Sequence, residues 1–126
     1  MKRYVLILLI FIFPLNAELI EEFTLKKDEV KTINLFVESV QKTLAFRWTL
    51  YKDRALIMHL NYDKNPHQIT LFKENLNSFS IPLTFSNSTK TPTPRIILYF
   101  IDFDDYKKEA KFRYYLHRFT SHIEIM

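Results

Sequence analysis

The stretch TLAFRWTLYKDRALIMHLNY, residues 43–62, decides the fold. From Thr43 to Tyr51 the side chains alternate. Leu44, Phe46, Trp48 and Leu50 fall on one face, and Thr43, Ala45, Arg47, Thr49 and Tyr51 on the other. From Ala55 to Tyr62 the alternation resumes, with Leu56, Met58, Leu60 and Tyr62 against Ala55, Ile57, His59 and Asn61. Successive side chains of an extended chain leave the backbone on opposite sides, so a period of two predicts a strand with one buried face. Only Lys52-Asp53-Arg54 separates the two runs, and a connection that short predicts an antiparallel hairpin.

The same period recurs on both sides of this hairpin. Leu19–Leu25 reads as a short strand, closed by the charged turn 26–29. In Val30–Val37 the residues Lys31, Ile33, Leu35 and Val37 form the apolar face. Asp63-Lys64-Asn65-Pro66 has turn composition, and Gln68–Phe72 follows with Ile69 and Leu71 inward. Phe79–Phe85 alternates around Pro82, which lacks a backbone N–H and therefore predicts a sheet edge. Ser86–Arg95 is a polar loop. Ile96–Phe103 is apolar on both faces and predicts a central strand covered on both sides. Asp104–Ala110 reads as a charged turn before a last strand or strands from Lys111 onward. One turn of helix at Glu38–Leu44, or one short helix within Asp104–Leu116, is the most helix the sequence allows. Seven to nine strands with turns every eight to twelve residues predict an all-β antiparallel sandwich of immunoglobulin-like type, with a small closed barrel as the alternative.

Ahead of the strands stand Lys2 and Arg3, ten apolar residues Tyr4–Phe13, Pro14, and Ala17. A basic start, a short apolar run and a small residue make the layout of a secretory leader. Ten apolar residues are too few to span a bilayer, which takes about 20. The expectation is a signal peptide over residues 1–17, cleaved after Ala17, and a single domain over residues 18–126. The whole chain carries 18 basic and 14 acidic residues. Loss of Lys2 and Arg3 leaves the remainder at +2, so basicity gives no reason to expect a nucleic-acid partner. The chain has no cysteine, which excludes disulfides and thiolate chemistry. It also has no glycine, which excludes Gly-rich phosphate loops and the nucleophile elbow. Twelve Phe, seven Tyr and one Trp supply the burial that replaces covalent staples.

The strand layout, together with Trp48 in an early central strand, resembles the small exported immunoglobulin-like sandwich proteins of Gram-negative bacteria. That resemblance implies a structural or interaction module in the periplasm, or a secreted one, and carries over no functional residue.

Four constellations bear on chemistry. His59, His67, His117 and His122 invite a metal reading, but the five-residue step from His117 to His122 points them to opposite faces of a straight strand. Asp102, Asp104, Asp105 and Glu109 cluster at a turn, as calcium ligands do, without the glycine of the EF-hand loop. Lys111, Arg113, Tyr115 and His117 share one face of the last long strand, opposite Phe112, Tyr114 and Leu116, and are the expected interaction surface. Asn87-Ser88-Thr89 matches a glycosylation triplet that a bacterial chain would not use. No nucleophile, base and orienting acid stand at a recognised spacing. The expectation is therefore a non-enzymatic protein without cofactor that binds another envelope protein, with a homodimer through the edge strand Phe79–Phe85 as one mode. A carrier of lipid or a small apolar ligand is the alternative.

Overall fold

A computed structural model describes residues 17–84, 93–119 and 121–126. Among these residues nine strands are formed: β1 (Glu18–Lys26), β2 (Lys31–Val37), β3 (Val40–Lys52), β4 (Ala55–Tyr62), β5 (Asn65–Phe72), β6 (Ser78–Pro82), β7 (Arg95–Asp104), β8 (Glu109–His117) and β9 (Ile123–Ile125). They make two antiparallel sheets, one in the order β1-β8-β7-β6 and the other β5-β4-β3-β2-β9. The sheets face each other as a sandwich. They do not close into the alternative barrel, so β1, β6, β5 and β9 remain edges. Each sheet is largely a meander of consecutive strands, flanked by β1 or β9. The described residues contain no helix. Glu38-Ser39 is a hairpin turn, and β8 already begins at Glu109.

The predicted inward faces are the buried ones in most strands. Ile33, Leu35 and Val37 of β2, Leu44, Phe46 and Trp48 of β3, and Leu56, Met58, Leu60 and Tyr62 of β4 are buried. From the other sheet, Ile96, Leu98 and Phe100 of β7 and Ala110, Phe112, Tyr114 and Leu116 of β8 meet them. Rings cross the gap between the sheets. Phe46 stands 6.2 Å from Phe112, Trp48 stands edge-on to Phe103 at 5.4 Å, and Tyr51 stacks on Phe103 at 3.9 Å. Such pairs add about 0.5–1.5 kcal/mol each beyond the area they bury. Two polar handles tie the layers as well. Trp48 Nε1 donates to the Leu25 carbonyl at 2.8 Å, and the Tyr62 hydroxyl donates to the Leu83 carbonyl at 2.7 Å.

Three sequence expectations are corrected. Leu50 does not continue the inward face of β3. A bulge between Trp48 and Leu50 leaves Thr49 as the extra residue, so Leu50 pairs with Ile57 on the outer face and Tyr51 with Leu56 on the inner one. Leu50 is accordingly 47% exposed. Strand β7 is central in its sheet, as expected, but among the described residues it is covered on one side only. Its outer residues Ile97, Tyr99 and Ile101 are half-buried, sheltered by neighbouring side chains rather than by another layer. Strand β5 begins at Asn65, three residues earlier than expected, because the turn before it needs only two residues. Pro82 lies in edge strand β6, as its missing N–H predicts. That strand spans Ser78–Pro82. Phe85, most of the Ser86–Arg95 loop and the triplet 87–89 lie outside the described residues, as do residues 1–16 of the expected leader 1–17.

The turns show how a chain without glycine makes hairpins. The β2–β3, β3–β4 and β4–β5 connections are two-residue loops, Glu38-Ser39, Asp53-Arg54 and Asp63-Lys64. All six residues have positive φ, between 49° and 69°, the signature of the type I′ turn whose twist matches the flanking strands. Glycine reaches that region freely, whereas a residue with a Cβ pays roughly 1–2 kcal/mol.

Candidate functional site

The outer face of the four-stranded sheet gathers the residues of the expected interaction surface. Strand β8 alternates cleanly, so Lys111, Arg113, Tyr115 and His117 all point outward while Ala110, Phe112, Tyr114 and Leu116 fill the core. Antiparallel register then sets their neighbours in rows. Ser80, Ile97, Tyr115 and Leu19 form one row across β6, β7, β8 and β1. Ser78, Tyr99, Arg113 and Glu22 form the next. Tyr99 and Tyr115 meet edge to face at 5.4 Å across the two rows. The middle of the face is therefore apolar and aromatic: Ile97, Tyr99 and Tyr115 half-buried, with Leu19 51% exposed beside them.

Charges stand at both ends of this strip. At one end Arg113 Nε donates to Glu22 Oε2 at 2.5 Å, and Lys111 Nζ lies 3.8 Å from the same carboxylate. The Arg113 guanidinium holds the Glu22 carboxyl below the usual carboxylate range, with Lys111 adding to the effect. At the other end Arg95 pairs in register with His117 and donates from Nη1 to Ser80 Oγ at 3.0 Å. His117 stacks on Phe119, ring centroids 3.9 Å apart. The face is thus an apolar centre rimmed by arginine, lysine, histidine and one glutamate.

Sequence reasoning found the β8 half of this face and missed the β7 and β1 half. Ile97 and Tyr99 were hidden by reading β7 as covered on both sides. The signal that exposes them is the alternation of β8. Once Tyr115 points outward, its cross-strand partners Ile97 and Leu19 must do so too.

The structure does not bring the acidic cluster together. Asp102 is held by Lys73 Nζ at 2.6 Å and accepts the Phe103 N–H, and both contacts keep its carboxyl below the usual range. Asp104 accepts the N–H groups of Tyr106 and Lys107 at 2.9 and 3.0 Å and so shapes the β7–β8 turn. Among the described residues no three His, Asp or Glu side chains converge as a metal site. The histidines are dispersed: His59 Nε2 is 3.1 Å from Thr49 Oγ1, and His122 Nε2 is 3.2 Å from Glu124. No helix among the described residues is long and apolar enough to cross a membrane.

Fold and face together define an open antiparallel β-sandwich with a rimmed aromatic strip on one sheet. Comparison with known protein families, curated proteins and solved structures finds no match to the chain.

Proposed function

We propose that this chain is an exported, non-enzymatic interaction module that binds another protein of the bacterial envelope through the outer face of its four-stranded sheet. The observation that carries this reading is the strip Leu19, Ile97, Tyr99 and Tyr115, apolar at its centre and charged at both ends. Contiguous apolar surface with a polar rim is typical of protein-binding patches, and Tyr and Arg are enriched among the residues that dominate such interfaces. Export to the periplasm is supported by the leader-like first 17 residues. The interaction reading is favoured over a lipid carrier because side chains such as Phe46, Phe100 and Phe112 occupy the space between the sheets.

The test uses the purified protein as bait in an extract of the envelope, with Ile97→Glu/Tyr115→Glu as the comparison. The expected result is a stoichiometric partner retained by the natural sequence and lost by the variant, whose circular dichroism is unchanged. A folded bait that retains no partner, or a variant that retains it equally, overturns the assignment.

A further inference from the structure

The two sheets leave four edge strands, and one of them is unlike the rest. An edge strand presents a row of unpaired backbone groups, and folded proteins blunt it with charge, proline or brevity. Strand β1 carries Glu18, Glu21, Glu22 and Lys26, β6 has five residues and ends on Pro82, and β9 has three residues. Strand β5 runs for eight residues, NPHQITLF, without one Asp, Glu, Lys or Arg. Its only guard is Pro66, next to the turn. Strand β4 pairs with one side of it, and among the described residues no strand pairs with the other.

Which backbone groups face the open side follows from one contact. The Phe72 N–H donates to the Leu76 carbonyl at 3.2 Å rather than to β4. Amide direction alternates along an antiparallel strand, so positions 66, 68 and 70 turn the same way as Phe72, and His67, Ile69 and Leu71 turn toward β4. Pro66 therefore stands where the ladder to β4 needs no N–H. The open edge holds two donors, the N–H groups of Gln68 and Thr70. It holds three acceptors, the carbonyls of Pro66, Gln68 and Thr70. Leu76 closes it at one end and the turn Asp63-Lys64 at the other, so its centre is Gln68.

These groups fit a second copy of the same strand. Laid antiparallel about a twofold axis through Gln68, each copy's Gln68 N–H meets the other's Gln68 carbonyl. Each Thr70 N–H meets the other's Pro66 carbonyl. No donor is left over, and the pairing stops on both sides where the open edge stops. Symmetry also sets a charge condition, because a side chain at the axis faces itself. Two Gln68 amides satisfy it, each offering a donor to the other's acceptor. A twofold through the middle of β1 would instead set Glu22 against Glu22, like charges directly opposite. On the inner face Ile69, half-buried at the margin of the core, comes opposite His67 of the second copy.

We infer that the chain forms a symmetric dimer by pairing β5 with β5 of a second copy, which joins two five-stranded sheets into one of ten strands. The contact is separate from the strip on the four-stranded sheet. Few residues pair on each side, against about 20–30 in a standard interface, so the dimer is weak and forms at micromolar concentrations or above.

The test is analytical ultracentrifugation of the purified protein up to about 1 mM, with NMR of the backbone amides over the same range. The expected result is a reversible monomer–dimer equilibrium and concentration-dependent shifts of the Gln68 and Thr70 amides. Gln68 is exposed, so Gln68→Lys and Gln68→Glu should fold, and each sets like charges across the axis. Each should weaken the dimer about fivefold. An equimolar mixture of the two should pair at least as tightly as the natural sequence, a recovery that only folded variants can show. Ile97→Glu/Tyr115→Glu, on the other sheet, should dimerise unchanged. A natural sequence still monomeric at millimolar concentration would leave the edge to a foreign extended segment and overturn the inference. So would a dimer that Gln68→Lys leaves intact, folded variants whose mixture does not recover, or a dimer lost in Ile97→Glu/Tyr115→Glu.

Discussion

Tyr62 shows what a single buried polar atom does in this protein. Its ring fills the inner face of β4, and its hydroxyl donates to the Leu83 carbonyl of the opposite layer. Burial, with Asp63 adding to it, pushes its pKa up to about 12. Tyr114 reaches about 12 by burial, helped by Glu21. Both phenols ionise near pH 10 once unfolded. A folded pKa above the unfolded one means the stabilisation is complete below pH 10 and drains away as pH climbs toward 12. Urea unfolding midpoints should therefore hold up to pH 10 and fall steeply above it, with tyrosinate absorbance rising alongside. Tyr62→Phe should cost about 1 kcal/mol at neutral pH and flatten part of that alkaline fall. An unchanged alkaline slope would count against the role given to Tyr62. The period of two made Tyr62 legible as an inward residue. The Leu83 carbonyl as its partner was not, because that contact joins two sheets whose mutual placement no local pattern encodes.

At the scale of elements, the three hairpins β2–β3, β3–β4 and β4–β5 carry the left-handed conformation on Glu38, Ser39, Asp53, Arg54, Asp63 and Lys64. The second position of a type I′ turn is where glycine relieves the most strain. Ser39→Gly and Lys64→Gly should each stabilise the protein by about 0.5–1 kcal/mol, the steric relief less the added entropy of the unfolded chain. Chemical denaturation reads the gain directly, and a loss of stability in both variants would mean that these turns are not the strained elements they are taken to be. The strands and their order of appearance were legible because apolar alternation is a local signal. Two-residue turns without glycine were read one residue too long at Lys52-Asp53-Arg54, since composition gave no Asn-Gly or Asp-Gly to mark them. The outward turn of Leu50 was illegible for a different reason: a bulge resets the phase without any residue type that announces it.

For the molecule as a whole, the decisive feature is the run of rings that passes from one sheet to the other. Phe112 touches Phe23, Phe46 and Phe100, at 5.6, 6.2 and 5.9 Å between centroids, so it belongs to both layers at once. At the side of the sandwich, where the two sheets part, Lys31 bridges to Glu21 at 2.8 Å and lies 5.0 Å over the Phe23 ring. With no disulfide to hold the layers together, separating the sheets and losing the fold should be one event. Phe112→Ala should remove about 3–5 kcal/mol. Fluorescence of Trp48 and far-ultraviolet dichroism should still report one coincident transition, and two separated transitions would show that the sheets melt independently. The candidate face was half legible on this scale. The outward residues of β8 follow from their own alternation, but a patch is a property of four strands side by side, and strand order across a sheet is settled by long-range pairing.

The inserted Thr49 has a wider meaning. By shifting the phase of β3 once, it divides a single sheet surface into two chemical territories. Arg47, His59 and Gln68 lie before it, and Leu50, Ile57 and Phe72 after it. An unbroken strand would have kept Leu50 in the interior and brought Tyr51 out to the solvent. One supernumerary residue thus gives the same sheet a hydrophilic region and an oily one that adjoin without lengthening any loop.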